Sequence, residues 1–460
     1  MKVNLIFPEL RNPVDLLGTY GSFLSKAFSR FSGWGKTNHT PPLSLLMLAA
    51  VTPDDIELNL IDERIEQVAF DDPVDLVGVT VVTRSAPRAY EIAAEYRKRG
   101  VKVVLGGIHP SALPKEAIQH ADSLVLGEGE SVWPEVLKDY KQGCLKSFYR
   151  GIPQMDLDIL PFPRREILRH PEMYWSTKAL VATRGCPNTC TFCSAGIGLI
   201  KKYRKRSVEK IISELEMVPG KIVVFADDNL GWDPDYTKEL FRAMIPLRIW
   251  WTGALSANAL EDEELIDLAA RSGCFLLGIG FESISPKVIE SIRKTRTNQP
   301  SRYAENIKRV QDHGVGVWGN FVIGFDDDDK DTFHALRDFI EETHMEIPSV
   351  WTLIPYPGSV LYKKFDNEGR LLHKDWKYYD DATGTVVYTP KQMTSKELMD
   401  GYYNLQKSIY SKNSIFRRLF GTTSTPSLTT VFSFLLNMEF HQNIKDVKTQ
   451  MHKYEELLNL

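Results

Sequence analysis

The sequence predicts an α/β protein built from two successive runs of parallel β/α units and a small helical C-terminal region. Three observations carry that expectation. Short apolar stretches alternate with helical segments over residues 1–150. The alternation restarts after a proline-marked break and runs over 176–370. The last stretch, 371–460, is aromatic and reads as helix. At 460 residues the chain is long enough for two or three domains, and its 43% apolar content suits a globular protein with a full core.

In the first run, strands are expected at 2–7, 57–62, 76–81, 101–107 and 123–127, with helices at 42–51, 86–99, 115–120 and 131–141. This pattern makes a doubly wound parallel sheet of Rossmann or flavodoxin-like type, which binds its ligand outside the carboxyl ends of the strands. The residues at those ends include Thr83, Gly106-Gly107-Ile108-His109-Pro110 and Gly127-Glu128-Gly129-Glu130. Glycines there let the backbone come close to a ligand. The connection 14–39 is long for this fold and carries Phe23, Phe28, Phe31 and Trp34 among glycines. It is either a lid over a ligand or a cover for a domain interface.

A linker follows at 151–175, marked by Gly151-Ile152-Pro153 and Leu160-Pro161-Phe162-Pro163. The second run has strands at 179–183, 221–226, 249–254, 275–280, 316–322 and 348–353. Its helices are expected at 207–217, 235–245, 262–272, 286–293 with 301–313, 331–342 and 359–369. Six such units make a partial (β/α)6 barrel of TIM type, whose chemistry belongs at the carboxyl ends of the strands. In the C-terminal region, helices at 394–412 and 428–460 either pack on the barrel or cap its open side. A membrane-surface contact through 415–420 is a further reading of that region.

The first strand of the second run leads into Arg184-Gly185-Cys186-Pro187-Asn188-Thr189-Cys190-Thr191-Phe192-Cys193. Three thiolates on one loop can hold three irons of a cubane cluster and leave the fourth open, whereas four cysteines close a cluster for electron transfer. A structural zinc site wants four ligands, and no His lies within ten residues of the loop. A zinc loop or a redox pair is the plainer alternative. Cys274 reads as a small buried hydrophobe and Cys144 as a loop residue, both far from this stretch.

The spacing of Cys186, Cys190 and Cys193, the aromatic Phe192 before the third cysteine, and the preceding strand resemble the radical S-adenosylmethionine (SAM) enzymes. The resemblance implies a [4Fe-4S] cluster whose open iron takes the amino and carboxylate groups of SAM. One electron then cleaves SAM to a 5′-deoxyadenosyl radical. It also implies that the strand ends supply the SAM site. Asp227 and Asp228 are expected at the amino group, with a helix cap near Asp233 as the alternative. Ser256 and Asn258 are expected near the ribose or carboxylate. Glu282 and Ser283 end the fourth strand, where a carboxylate can accept from both ribose hydroxyls and would be costly buried alone. Val322 and Ile323 are expected beside adenine. Arg204 or Arg206 pairs with the SAM carboxylate or lies on the surface, and Tyr356 faces substrate or packs in a proline-rich turn. The run Asp326 to Asp329 reads as the solvated start of a helix, not as a metal site.

Gly106-Gly107-Ile108-His109-Pro110 followed by Leu126-Gly127-Glu128-Gly129-Glu130, with Pro41-Pro42-Leu43-Ser44-Leu45-Leu46 upstream, is similar to the cobalamin-binding domain that precedes many radical SAM modules. That similarity implies a cobalamin site at Thr83, Gly106, Gly107, His109, Gly127, Glu128 and Gly129. The D-x-H-x-x-G motif that supplies a His to cobalt elsewhere is absent, since Gly107 stands two positions before His109. The alternative is a flavodoxin-like domain that only packs on the barrel.

These resemblances imply a cobalamin-dependent radical SAM enzyme like the class B methyltransferases. There the radical takes hydrogen from an unactivated carbon, and cobalamin, methylated by a second SAM, delivers the methyl. Radical cyclisation or rearrangement is the alternative among enzymes, and an iron–sulfur electron carrier or redox sensor the alternative outside them. Lipid, tetrapyrrole, peptide and antibiotic substrates all occur among such enzymes, and an external donor such as flavodoxin or ferredoxin supplies the electron. The formal charge of −4 gives no reason to expect nucleic acid. The longest apolar run, 43–51, is too short for a transmembrane segment, the N-terminus has no signal-peptide pattern, and five cysteines make no disulfide framework. A reducing cytoplasm is the expected location.

Overall fold

The computed structural model describes residues 1–9, 39–194, 202–421 and 427–458. The aromatic connection 14–39 lies outside the described residues except for His39. The N-terminal unit is an all-parallel sheet of β1 (Lys2–Phe7), β2 (Glu57–Asp62), β3 (Leu76–Thr80), β4 (Lys102–Gly106), β5 (Ser123–Leu126) and β6 (Phe148–Arg150). Its order, β2-β1-β3-β4-β5-β6, puts the switch point between β1 and β3. Strand β6 was not expected: three residues, two of them exposed, carry too little alternation to read.

Helices α1 (Leu43–Ala50), α2 (Ala86–Lys98) and α3 (Trp133–Lys141) cover the sheet. Period-two alternation sends Val3, Leu5, Leu76 and Val104 to the face under α1 and α3. It sends Val77, Val79, Val103 and Leu105 to the face under α2, whose apolar core continues without a break into that of the second unit.

In the second unit β7 (Lys178–Leu180) leads into a short antiparallel ribbon, β8 (Thr183–Arg184) with β9 (Arg204–Lys205). Then come β10 (Ile222–Phe225), β11 (Trp250–Ser256), β12 (Cys274–Glu282), β13 (Gly316–Ile323) and β14 (Ile347–Thr352). Strands β7 and β10 to β14 form one parallel sheet in chain order, with β7 and β14 at its edges. The strand expected at 179–183 breaks after Leu180, because the N–H groups of Ala182 and Thr183 donate to the Asp227 carboxylate instead of to a ladder. The outer helices are α4 (Val208–Met217), α5 (Pro234–Met244), α6 (Glu263–Arg271), α7 (Pro286–Ser291), α8 (Tyr303–Asp312), α9 (Asp331–Glu342) and α10 (Val360–Asn367). Ser207, Asp233, Asp262, Ser285 and Ser359 cap five of them, each accepting from the N–H three residues on.

The acidic run before α9 is not a solvated helix start. Asp328 is buried and accepts from the N–H groups of Gly324 (2.9 Å) and Phe325 (3.0 Å). Asp326 takes Lys364 and Arg370, both at 2.7 Å, and Asp327 takes Lys287 at 2.8 Å. Asp329 alone of the four accepts from the first turn, through the N–H groups of Asp331 and Thr332.

The C-terminal helices are α11 (Ser395–Ile409), α12 (Lys412–Phe420) and α13 (Ser427–Leu458). The helix expected at 394–412 ends early, because Ser411 starts a new helix by accepting from Ser414 N–H. In α12, Ile415, Arg418 and Leu419 are buried, while Phe416 and Phe420 on the other face are exposed. The first half of α13 lies against the amino-terminal ends of β12 and β14, through Thr429 Oγ1 to Phe275 O (3.1 Å) and Asn437 Nδ2 to Glu346 O (2.8 Å). These contacts pack its first half against the barrel sheet. No helix among the described residues is long and apolar enough to cross a membrane.

A buried polar knot locks these helices to the sheet. Arg418 donates to Met345 O (2.6 Å), Ile409 O (2.9 Å) and Asn437 Oδ1 (2.9 Å). Beside it Glu346 accepts from Val317 N–H at 2.8 Å, and burial raises its carboxyl to about 7. The folded chain thus holds a proton there that the unfolded chain releases earlier. The associated stability is complete below the unfolded pKa and is lost as pH rises through the folded one. Glu346→Gln should narrow the drop in thermal stability between about pH 5 and about pH 8 by on the order of 3 kcal/mol. Melting curves at both pH values check this, and an unchanged drop would contradict it.

Candidate active site

The cysteine loop hangs from the β8–β9 ribbon, and both sides of that stem are fixed. On one side buried Asp227 accepts from Ala182 N–H (3.1 Å), Thr183 N–H (2.6 Å) and Thr183 Oγ1 (2.6 Å). Burial pushes its carboxyl up to about 6, with these hydrogen bonds working against the rise. On the other side Arg204 forks onto Glu128 at 2.6 and 3.0 Å, and Arg184 reaches Glu130 at 2.6 Å. Gly185, at φ +85°, turns the chain from ribbon into loop, in a region that favours glycine. Farther on, Thr191 N–H donates to Ile292 O (3.2 Å) and Thr191 O accepts from Leu361 N–H (2.8 Å). Phe192 packs edge-on against Phe325, 5.7 Å between centroids.

Cys186, Cys190 and Cys193 line a cavity of about 660 Å³, in the size range of cofactor sites. Five of the six strands of the sheet bring residues to it: Asp228 and Asn229 follow β10, Ser256 ends β11, Glu282 ends β12, Asn320 lies in β13, and Ser359 follows β14. Strand β12 ends in a bulge, where Gly280 pairs with Asn320 and Glu282 with Phe321, leaving Phe281 as the extra residue. Glu282 takes φ +63°, so its side chain turns into the cavity. There it forms a close ion pair with Lys294, which also donates to Gly280 O at 3.0 Å. A Cβ on Gly280 would lie 2.6 Å from Glu282 Oε1 and 3.0 Å from Lys294 Nζ, so the ion pair would have to shift to admit one. Asn298 Nδ2 donates to Gly280 O (2.9 Å) and Phe281 O (3.0 Å), and Tyr303 OH to Phe281 O (3.1 Å), which satisfies the carbonyls of the bulge.

Burial pushes the Cys190 thiol up to about 12, with Lys294 opposing the rise. Burial works against the charge of Lys294 itself, but Glu282 and the Cys190 and Cys193 thiols outweigh it and hold the amine above its ordinary range. A buried cation beside three thiols suits a group that is anionic once the thiols are deprotonated. Among the described residues no three His, Cys, Asp or Glu side chains gather into a set that could hold a single metal ion. Three thiols spread on one wall suit a cluster, in which each cysteine holds its own iron.

Phe192, which the resemblance also implies at SAM, stands on this cavity wall with Asp228, Ser256 and Glu282 of the residues expected there. Asp227 does not, since its carboxylate holds the loop stem. Asn258 is exposed and accepts from Ser256 Oγ at 2.7 Å. Ser283 is buried and accepts from Ser285 N–H at 3.1 Å, and Ile323 lies in the core with Val322 packed against it. Arg204 and Arg206 turn away to Glu128 and Glu214. Tyr356 hydrogen-bonds Asp381 off the wall. Lys294 and Asn320 line the cavity without having been expected. In Ile292-Arg293-Lys294 nothing local says that the cations reach a cavity, as both do, whereas Asn320 is a lone amide in an apolar strand and was findable.

A second cavity of about 330 Å³ opens at the carboxyl ends of β3, β4 and β5, between α1 and Trp133, and is closed on the barrel side by Val181 and Arg184. Leu45, Leu48, Val79 and Val125 make its apolar wall, and Gly106, Gly107, Gly127, Glu128 and Gly129 line it. Gly107 sits at φ +102°, and a Cβ there would meet Val81 O at 2.8 Å. The glycine-floored apolar cleft fits part of a large, mostly apolar ring cofactor with polar edges. Thr83 and His109 do not line it. His109 is fully buried with Tyr90 OH (3.1 Å), Thr83 Oγ1 (3.4 Å) and Glu116 (3.4 Å), and Trp376 donates to the same Glu116 at 2.8 Å. It ties the sheet to the C-terminal region and takes no place at the cavity.

Removing the Asp227 carboxylate leaves three donors of the stem unpaired, at about 1–3 kcal/mol for each that water does not reach. Asp227→Ala should lower the melting temperature and at least halve the iron retained per chain, and Asp227→Asn should do less of both. Iron and sulfide assays beside melting curves decide this; full iron with unchanged melting would show that the stem does not need the carboxylate.

The radical SAM superfamily matches residues 180–340, a B12 binding domain residues 37–137, and a domain of unknown function, DUF4070, residues 359–434. Bacteriochlorophyllide d C-12(1)-methyltransferase of Chlorobaculum tepidum is 32% identical, over 83% of this chain and 85% of its own. Bacteriochlorophyllide d C-8(2)-methyltransferase of the same organism is 30% identical, over 74% and 79%. The structure of the radical S-adenosylmethionine methyltransferase TsrM of Kitasatospora setae, with cobalamin and a [4Fe-4S] cluster bound, shares the fold over 97% of this chain and 99% of that one, with a TM-score of 0.64 at 14% identity. Cysteine loop, barrel and glycine-floored sheet thus occur together in one lineage, and the chain belongs to the radical SAM enzymes with an N-terminal B12-binding domain, the family of the cobalamin-dependent methyltransferases that use a [4Fe-4S] cluster and SAM.

Proposed function

We propose that this enzyme methylates an unactivated carbon of a small molecule of tetrapyrrole type, as the names of its bacteriochlorophyllide relatives suggest. The carrying observation is the meeting of two cavities at one stem. Arg184 lines the cavity of the N-terminal sheet, and Cys186, two residues on, lines that of the barrel. When bound, the cluster supplies the electron that opens SAM to a 5′-deoxyadenosyl radical, and cobalamin carries the methyl group.

The chain's own residues bind and orient. Cys186, Cys190 and Cys193 would hold the cluster. Asp228, whose carboxyl burial raises, offers an acceptor that an ammonium donor would keep charged. Glu282, fixed by Lys294, offers two oxygens to neighbouring hydroxyls. The glycines after β4 and β5 would let the sheet backbone approach the corrinoid. We place the enzyme in a reducing cytoplasm, with the electron delivered by a flavodoxin or ferredoxin.

Anaerobic reconstitution with iron, sulfide, cobalamin, SAM and a low-potential reductant tests the reading. S-adenosylhomocysteine should form beside 5′-deoxyadenosine. Deoxyadenosine alone, with no cobalamin retained, would replace methyl transfer by radical cyclisation or rearrangement. The triple change of Cys186, Cys190 and Cys193 to Ala should lower both products by at least ~100-fold.

A further inference from the structure

The turn after β5, Gly127-Glu128-Gly129-Glu130, belongs to the N-terminal sheet, yet its two carboxylates bond to the stem of the cysteine loop. Glu128 takes both forks of Arg204, at 2.6 and 3.0 Å, and lies 3.5 Å from Arg184. Glu130 takes Arg184 at 2.6 Å. Arg184 and Arg204 face each other across the β8–β9 ribbon, so the loop leaves and re-enters the fold through these two residues. Arg204 is further held by Gln154 O at 2.8 Å. The four side chains are between 2% and 18% exposed. Largely buried pairs of this kind, of which Arg204–Glu128 is bidentate, are directional and lose much when pulled apart, unlike exposed pairs that solvent replaces.

The same residues wall the cavity of the sheet: Glu128, Glu130 and Arg184 all line it. The turn is backed by the chain at Gly151, whose N–H donates to Leu126 O at 2.7 Å and where a Cβ would lie 2.0 Å from Glu128 O. It cannot retreat on that side. Gly127, at φ +91°, gives it a pivot at its start. Whatever fills the cavity therefore touches the turn whose carboxylates hold Arg184 and Arg204, the two ends of the loop that carries Cys186.

On the reading that cluster and corrinoid bind as proposed above, we infer that the Arg184–Glu130 and Arg204–Glu128 pairs are a clamp that couples the two sites. Each group binds more tightly when the other is in place. Arg184, Arg204, Glu128 and Glu130 act as positioning residues. Such coupling is reciprocal: if the cluster tightens cobalamin, cobalamin must tighten the cluster by the same factor.

The test titrates hydroxocobalamin by absorbance into the full chain, with and without its reconstituted cluster. In the wild-type chain affinity should be at least about fivefold higher with the cluster, and cobalamin should alter the electron paramagnetic resonance of the reduced cluster. In Arg184→Gln/Glu130→Gln, which leaves no unpaired charge between these two, the affinity ratio should fall toward one. Glu130→Asp, a smaller change that keeps the charge, should give an intermediate ratio, and Glu135→Gln, in an exposed pair with Lys146, should keep the full ratio. A wild-type ratio in both clamp variants, or equal affinities in the wild-type chain, overturns the clamp and leaves methyl transfer standing. Failure of the wild-type chain to bind cobalamin in either state removes the reading of the cavity instead.

Discussion

Three thiolates can serve one cluster only if the loop between them is held still, and a loop cannot hold itself. Here the hold is made by buried carboxylates from two different units. Asp227 takes the outgoing strand of the stem, and Glu128 and Glu130 take the arginines of the ribbon. The break in the first barrel strand after Leu180 follows from this, since the next N–H groups are turned toward Asp227. The close approach of the sheet follows as well, because Glu128 and Glu130 must reach across. A carboxylate stripped of water is costly unless donors surround it, so each of these groups is satisfied by backbone N–H groups or by a guanidinium.

The opposite wall of the cavity meets a related demand. A buried lysine near the thiols offsets their charge, but alone it would carry a desolvation cost of its own. Glu282 answers that by standing beside Lys294, and the bulge in β12 brings its side chain round. The bulge in turn exposes carbonyls, which Asn298, Tyr303 and Lys294 itself occupy. Gly280 leaves room for the set, because a Cβ there would displace the ion pair. Strain at one glutamate is thus distributed over neighbours that satisfy it, as expected where a backbone outlier faces a functional cavity.

Much of this was legible in the chain. Alternation placed all six strands of the barrel sheet and five of those in the first sheet, because an apolar strand between helices has few other destinations. The cysteine spacing and its position after a strand were local and therefore readable. What failed was anything decided by burial between distant segments. Asp227 and Asp228 are neighbours of one type, and only packing assigns one to the stem and the other to the cavity. His109 carried the look of a cofactor residue, yet Tyr90, Glu116 and Trp376 close around it. The run Asp326 to Asp329 looked solvated because its partners, Lys287, Lys364 and Arg370, come from elsewhere in the chain.

The shared core limits how the two cavities can communicate. The α2 face of the N-terminal sheet and the barrel interior form one continuous apolar body, and His109, Glu116 and Trp376 stitch its far edge to the C-terminal region. A hinge between the units would have to open that body, exposing apolar surface at roughly 25 cal/mol for each Å². Small shifts at a glycine-flanked turn need no such exposure. Gly127 and Gly129 flank Glu128 in the turn that holds the loop stem, where one cofactor's cavity meets the other's support. A rigid frame with one soft joint at that point favours mutual adjustment of two sites over movement of two domains.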